Sequence, residues 1–80
     1  MMKQKLATLI ERFPDHEAII RALAGRNTRF RTLVQDHHDV HRSLARAERN
    51  GDPATTVELE QRYKNLEEEM IRMIQAYPIA

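Results

Sequence analysis

Histidine is the residue type in this sequence whose spacing could do chemistry. The run Asp36-His37-His38-Asp39 is followed closely by His41. His37 and His41 are four residues apart, so on a helix both imidazoles would face the same side and could share a metal ion. Zinc needs three or four ligands, and the fold would have to bring a third from a distant residue. The available candidates for that third ligand are His16, Glu60 and Glu67.

Two other interpretations of these histidines need no metal. His37 could fill a polar position between two helices and fix their register, with a structural or pH-sensitive pairing role. His41 would then face Glu60 or Glu67. The remaining interpretation gives the histidines no special role, and it is the one that the sequence favours most. We therefore expect no metal centre and no cofactor.

A basic ridge is the second feature that could bind a ligand. Arg42, Arg46 and Arg49 recur at spacings of four and three, so on a helix they form one row that could contact phosphates. Such a row is more often solvated or paired with a neighbouring helix. The net charge is only +1 and the chain has four aromatic residues, so nucleic acid is not the expected main partner.

Catalysis has little support in this sequence. Ser43 is the only serine and has no base in a recognisable pattern beside it, and cysteine is absent. Two glycines cannot form a phosphate-cradling loop. We expect a noncatalytic protein without a small-molecule substrate.

Two seven-residue apolar repeats determine the elements that would position these residues. Alternating spacings of three and four are typical of a coiled-coil seam. The predicted seam residues are Phe30, Leu33, His37, Val40, Leu44, Leu59, Tyr63, Leu66, Met70 and Met73. The turn-forming run Asn50-Gly51-Asp52-Pro53 separates the two repeats. The sequence therefore predicts an all-α fold: a coiled-coil-like antiparallel helical hairpin with helices over 28–49 and 53–77.

Short helical segments are predicted before this hairpin, within residues 1–25 of a single 1–80 domain. Pro14 interrupts the first segment because proline lacks an N–H and clashes with the preceding turn. Gly25 is expected to end the second segment in the left-handed conformation. Asn27 or Thr28 can cap the helix that follows.

The apolar stripe of the two long helices is wider than a pair of helices needs. The residues that need further cover, or that could supply it, are Leu6, Leu9, Ile10, Phe13, Ile19, Ile20, Leu23, Val34, Ile71 and Ile74. Either the N-terminal segments fold back on the hairpin, or a second chain supplies the missing layer. Because 80 residues bury little surface, we expect a homodimer, a larger assembly or binding to another protein.

Charge and hydropathy limit the remaining possibilities. Residues 26–51 carry six arginines against three carboxylates, and residues 52–77 carry six carboxylates against three cations. The run Glu67-Glu68-Glu69 is expected to be a solvated face. No apolar run approaches the roughly 18 residues of a membrane span, and cysteine is absent. A cytoplasmic protein that does not bind membranes is therefore expected.

Several motifs resemble the YdcH-like family of short bacterial proteins of unknown function. The residues that carry the resemblance are Phe13-Pro14-Asp15-His16-Glu17, Ile19-Ile20, Leu23, Phe30, His37-His38-Asp39-Val40-His41, Glu48 and Leu66-Glu67-Glu68-Glu69-Met70. Val40-His41 stands where that family usually has Leu-Asp, and Glu67-Glu68 replaces its Lys-Asp. The resemblance implies a small bacterial, cytoplasmic helical hairpin without assigned catalytic residues.

The function that we expect from the sequence is self-association or docking on another protein. A nucleic-acid-associated regulatory role through the basic ridge is the first alternative. A metal-linked helical module is the second.

Overall fold

Helices account for nearly all of the described chain. The computed structural model describes residues 2–77, and their side chains from Gln4 onward. Four α-helices follow one another: α1 (Met2–Arg12), α2 (Glu17–Arg26), α3 (Thr28–Arg49) and α4 (Pro53–Ala76). A 3₁₀ helix, Pro14–His16, lies between α1 and α2. No strand occurs within residues 2–77, so the all-α class is confirmed.

Local side chains cap the two long helices. The Asn27 side chain accepts a hydrogen bond of 2.9 Å from the N–H of Phe30 at the start of α3. Asp52 accepts one of 3.2 Å from the N–H of Thr55 at the start of α4, where Pro53 occupies the first helical position. Hydrogen bonding to Thr55 also holds the pKa of Asp52 below its usual value. The α4 helix ends at Ala76, one residue before the expected end.

The end of α2 differs from the prediction. Gly25 does not adopt the left-handed conformation, and α2 continues through it to Arg26. Asn27 ends the helix in an extended conformation, and its N–H donates to the carbonyl of Leu23 at 2.8 Å. Arg31 Nη1 donates to the carbonyl of Ala24 at 2.9 Å. These bonds satisfy terminal carbonyls of α2, so no left-handed glycine is required there.

Gly51 is the residue that needs glycine's conformational freedom. Its φ is +64°, in the turn Asn50-Gly51-Asp52 between α3 and α4. The N–H of Gly51 donates to Glu48 at 3.2 Å, and the N–H of Asp52 donates to Ala47 at 3.1 Å. Both donors close the end of α3, so the turn continues directly from the last helical residues.

The two glycines should respond in opposite directions to alanine. A Cβ would meet no atom within 4 Å at either position, so backbone conformation decides the result. Gly25→Ala should stabilise the protein by about 0.5–1 kcal/mol, because alanine is the better helix former. Gly51→Ala should destabilise it by about 1–2 kcal/mol through the left-handed backbone. Thermal unfolding of both variants measures this, and destabilisation by Gly25→Ala would contradict the helical assignment of Gly25.

The hydrophobic core lies in the half of the molecule away from the Gly51 turn. Its members are Leu9, Ile20, Leu23, Ala24, Phe30, Leu33, Val34, Met70 and Ile74. They come from α1, from α2 and from the parts of α3 and α4 farthest from the turn. Residues 41–62, which we call the turn half, contribute none of them. Leu44 and Leu59 are only half-buried there.

The N-terminal helices cover much of the apolar stripe, as one of the two predicted alternatives has it. Among the residues predicted as a candidate interface, five are buried inside this single chain and cannot face a partner: Leu9, Ile20, Leu23, Val34 and Ile74. The other five are half-buried: Leu6, Ile10, Phe13, Ile19 and Ile71. The interface prediction is therefore corrected for the buried five, because α1 and α2 pack on α3.

The buried face of α4 is rotated from the predicted seam. Glu67, Met70 and Ile74 are its buried residues, whereas Leu66 and Met73 are half-buried. The observed row, at positions 63, 67, 70 and 74, keeps the alternating spacing of four and three residues. Glu67 takes the place of Leu66 in the predicted seam, and Ile74 takes the place of Met73. On α3, the predicted seam residues Phe30, Leu33, His37 and Val40 are all buried. Contacts of α4 with α1 and α2 account for the rotation, because they extend the core to that side.

Within the described residues, no helix has a stretch long and apolar enough to cross a bilayer.

Candidate functional site

Three helices each contribute one polar side chain to a partly buried cluster. His37 comes from the middle of α3, Glu67 from α4 and Arg12 from the last turn of α1. Pro14 ends α1 just after Arg12. From that end of α1, the Arg12 side chain reaches Glu67 of α4. We call these three residues the His37 cluster.

The Glu67 carboxylate lies at the centre of the His37 cluster. Its Oε2 is 3.0 Å from His37 Nε2 and 2.8 Å from Arg12 Nε. Arg12 Nη2 donates to the other oxygen, Oε1, at 3.4 Å. The His37 side chain is 0% exposed, that of Glu67 is 10% exposed and that of Arg12 is 56% exposed. The cluster therefore runs from a fully buried imidazole to a guanidinium at the surface.

Aromatic contacts hold the His37 ring from one side. Tyr63 stacks on it with ring centroids 4.4 Å apart and an interplanar angle of 22°. His41 lies 6.0 Å from the same Tyr63 ring, tilted by 34°. Burial and the negative charge of Glu67 raise the pKa of Tyr63, so the phenol stays protonated. The stacking fixes the plane of the imidazole that hydrogen-bonds to Glu67.

Protonation of His37 follows from this geometry. A carboxylate only accepts hydrogen bonds, so Nε2 carries the hydrogen that Glu67 receives. The other ring nitrogen, Nδ1, is buried and has no hydrogen-bond partner. Burial lowers the pKa of His37, and this outweighs the opposing hydrogen bond and charge of Glu67. His37 is therefore neutral at pH 7, whereas Glu67 raises the pKa of Arg12 and keeps it charged.

The cluster links three helices through one carboxylate. Glu67 joins α1, α3 and α4, and no serine or threonine hydroxyl of the described residues donates to it. A second contact, 3.4 Å between Thr8 Oγ1 and His38 Nδ1, joins α1 to α3 one residue further along. What this arrangement can do is hold α1 in place.

The metal alternative is not supported by these positions. Among residues 4–77, no three histidine or acidic side chains gather where a metal ion could bind. Nε2 of His37 already donates a hydrogen bond to Glu67, and both His41 and His16 are exposed. The His37–His41 pair therefore lacks the third ligand that the sequence analysis required.

Glu67 corrects one expectation, and Arg12 was missed by the sequence analysis. Glu67 was expected on a solvated face with Glu68 and Glu69, but it is buried. Its position four residues after Tyr63 and three before Met70 was the available indication, because this spacing continues the apolar row. No comparable indication existed for Arg12, since its contact depends on how α1 docks. Glu69 also bonds across helices, to Arg29.

The basic ridge lies at the surface of the turn half. Arg42, Arg46 and Arg49 are all exposed, and the described ion pairs include none of them. Beside the ridge is a shallow groove between α3 and α4. Its lining residues are Ser43, Arg46, Ala47, Asn50, Asp52, Thr55 and Leu59. An apolar floor with polar walls is typical of a protein-binding surface.

Comparisons with protein-family models, with curated proteins and with solved structures give no match to this chain.

Proposed function

We propose that this chain is a noncatalytic helical-hairpin protein that acts by self-association. In this proposal α3 and α4 run antiparallel as a coiled-coil-like hairpin around the Gly51 turn. Two contacts between the helices support that arrangement. Arg29, near the start of α3, bonds to Glu69, whereas His37, further along α3, bonds to Glu67, which comes earlier in α4. The resemblance to the YdcH-like family agrees with it.

The uncovered turn half is the observation that carries the proposal. The N-terminal helices complete the core around the other half, whereas the turn half has only its own two helices. Leu44 and Leu59 stay half-buried between them. A pair of helices alone buries little apolar surface in water, so a second pair would complete the layer as in a four-helix bundle.

Charge complementarity favours a second copy of this chain as the partner. Arg46 lines the groove from α3, and exposed Glu58 lies on α4 next to the lining residue Leu59 and three residues after Thr55. In a two-fold dimer the same surface is used twice, so Arg46 of each copy would meet Glu58 of the other. Both contacts would flank the apolar floor formed by Ala47 and Leu59.

Charge reversal tests this pairing. Arg46→Glu alone and Glu58→Arg alone should each give a monomer by light scattering, because both two-fold contacts become repulsive. An equimolar mixture of the two variants should give a dimer. In the mixed dimer one contact joins the two substituted side chains, which carry opposite charges, and the other joins the unchanged Arg46 and Glu58. Raising the salt concentration should weaken the association of the parent chain.

Arg72→Glu provides the matched control. It makes the same change in net charge as Arg46→Glu at an exposed position of α4 outside the turn half, so it should leave the dimer intact. A parent chain that is monomeric at every concentration contradicts the proposal. So does a mixture that stays monomeric while circular dichroism shows both variants to be folded.

Nucleic-acid binding is a second candidate, favoured by the absence of described ion pairs at Arg42, Arg46 and Arg49. Binding to random duplex DNA at low and moderate salt tests it. Affinity that falls steeply with salt and disappears in Arg46→Glu would support a phosphate-binding ridge. Absence of binding at low salt removes this candidate and leaves self-association unaffected.

A further inference from the structure

We propose that the His37 cluster is a pH-sensitive latch that holds α1 on α3 and α4 at neutral pH and releases it in acid. This inference does not depend on self-association. It rests on the hydrogen bonds, burial and charges around one imidazole.

The cluster is the polar attachment of α1 to α4. Arg12 is the last residue of α1, and its guanidinium makes two hydrogen bonds to the Glu67 carboxylate. That carboxylate also accepts from His37 of α3. Any change in the His37 ring therefore acts directly on the group that binds Arg12.

The neutral ring fits its surroundings, whereas the protonated ring does not. With His37 neutral, the charges of Arg12 and Glu67 balance. A second proton would sit on Nδ1, which is buried without an acceptor. The titratable and charged groups that face the ring are Arg12 from α1, His41 from α3, and Glu67 and Tyr63 from α4. Glu67 is the only anion among these four, and Arg12 already shares it.

Protonation would leave the cluster with one excess positive charge. His37 and Arg12 would then compete for a single carboxylate, and the imidazolium cannot move because it is 0% exposed and stacked on Tyr63. Arg12 is 56% exposed and can reach water. The repulsion is therefore relieved by moving Arg12 outward, which breaks the polar attachment of α1 to α4.

The α1 helix also depends on its contacts with the rest of the chain. It has only 11 residues, below the about 12–15 that an isolated helix needs in water. Its first turn carries no acidic residue to complement the helix dipole. Leu9 is its only fully buried side chain among the described ones, while Leu6 and Ile10 are half-buried. Release of α1 would expose Leu9, which is 0% exposed in the folded chain.

The direction of the pH dependence follows from linkage. Burial places the pKa of His37 in the native state below its ordinary value of about 6.5. The opened state therefore binds a proton at pH values where the closed state does not. The attachment of α1 is at full strength above about pH 6.5 and weakens as the pH falls below it.

Hydrogen exchange at several pH values tests the latch in the full chain. Protection factors, corrected for the intrinsic pH dependence of exchange, should fall in α1 by up to about tenfold per pH unit below about 6.5. Protection around Phe30 and Met70 should change much less. Uniform loss of protection in all four helices, or none in α1, would overturn the proposal.

His37→Gln is the variant that removes the titration. Its amide can still donate to Glu67 but cannot take up a proton near pH 6. Protection of α1 should then fall much less below about pH 6.5, whereas the control His16→Gln, at an exposed position, should behave like the parent chain. An unchanged pH response in folded His37→Gln would refute the latch.

An NMR titration of the parent chain keeps the test decisive if His37→Gln does not fold. The His37 ring resonances should titrate below about pH 6.5, together with the shift changes of α1 amides. A His37 midpoint at or above that value would count against the latch. So would a midpoint that differs from that of the α1 amides.

Discussion

Leu33→Asp is expected to abolish the folded state at room temperature. Leu33 is 4% exposed and packs in the core with Phe30, Val34 and Met70. Removing the leucine side chain from a core costs about 2–5 kcal/mol, and the unpaired carboxylate adds a desolvation cost. A domain of this size has a total stability of about 4–12 kcal/mol, so little or none would remain. Circular dichroism during heating measures the result.

Gln35→Asp is the matched control for this variant. It introduces the same side chain two residues away on α3, at an exposed position where water solvates the carboxylate. The helix-propensity cost of aspartate is common to both variants, so the difference between them reports burial. Similar thermal midpoints for Leu33→Asp and Gln35→Asp would contradict the assignment of Leu33 to the core.

Glu67→Ala should produce the second largest effect. The substitution leaves the buried Nε2–H of His37 without an acceptor and removes the partner of Arg12. An unsatisfied buried donor costs about 1–3 kcal/mol, while Arg12 can turn into water at little cost. We expect a destabilisation of about 1–3 kcal/mol in chemical denaturation at pH 7.5.

Glu68→Ala is the control for Glu67→Ala, because it removes a neighbouring carboxylate that is exposed. A surface substitution of this kind changes stability by about 0.5 kcal/mol or less. Equal stabilities of the two variants would mean that Glu67 is solvated, as the sequence analysis expected. That outcome would also remove the basis of the pH-sensitive latch.

Several features of the fold could be predicted from the sequence because they depend on neighbouring residues. The apolar repeats and the Asn50-Gly51-Asp52-Pro53 run predicted two long helices and the turn between them. Asn27 and Asp52 cap these helices through groups three residues away. Helical periodicity, capping and turn geometry act over a few residues, so the sequence contains their causes.

Gly25 shows the limit even of local reasoning. Glycine near a helix end favours a left-handed cap, but a cap is needed only where terminal carbonyls lack partners. Here Arg31, seven residues away on the next helix, donates to the carbonyl of Ala24. A side chain from another element therefore removed the requirement.

The candidate site was predicted only in part. His37 was identified as a polar residue in a helix–helix seam, with Glu67 among its possible neighbours, but Glu67 was also assigned to a solvated face. The docking of α1 and α2 extended the core to the row of Tyr63, Glu67 and Met70, and this buried the carboxylate. The role of Arg12 depended on the same docking.

The sequence by itself determined the two long helices, the turn between them and the apolar stripe of this protein. The tertiary structure decided that α1 and α2 cover half of that stripe, which face of α4 is buried, and that His37, Glu67 and Arg12 meet. The physical reason is that helical periodicity is set by backbone hydrogen bonds within a few residues. The partner of each apolar or charged face depends instead on competition among surfaces distant in sequence, and similar burial energies are available from several of them.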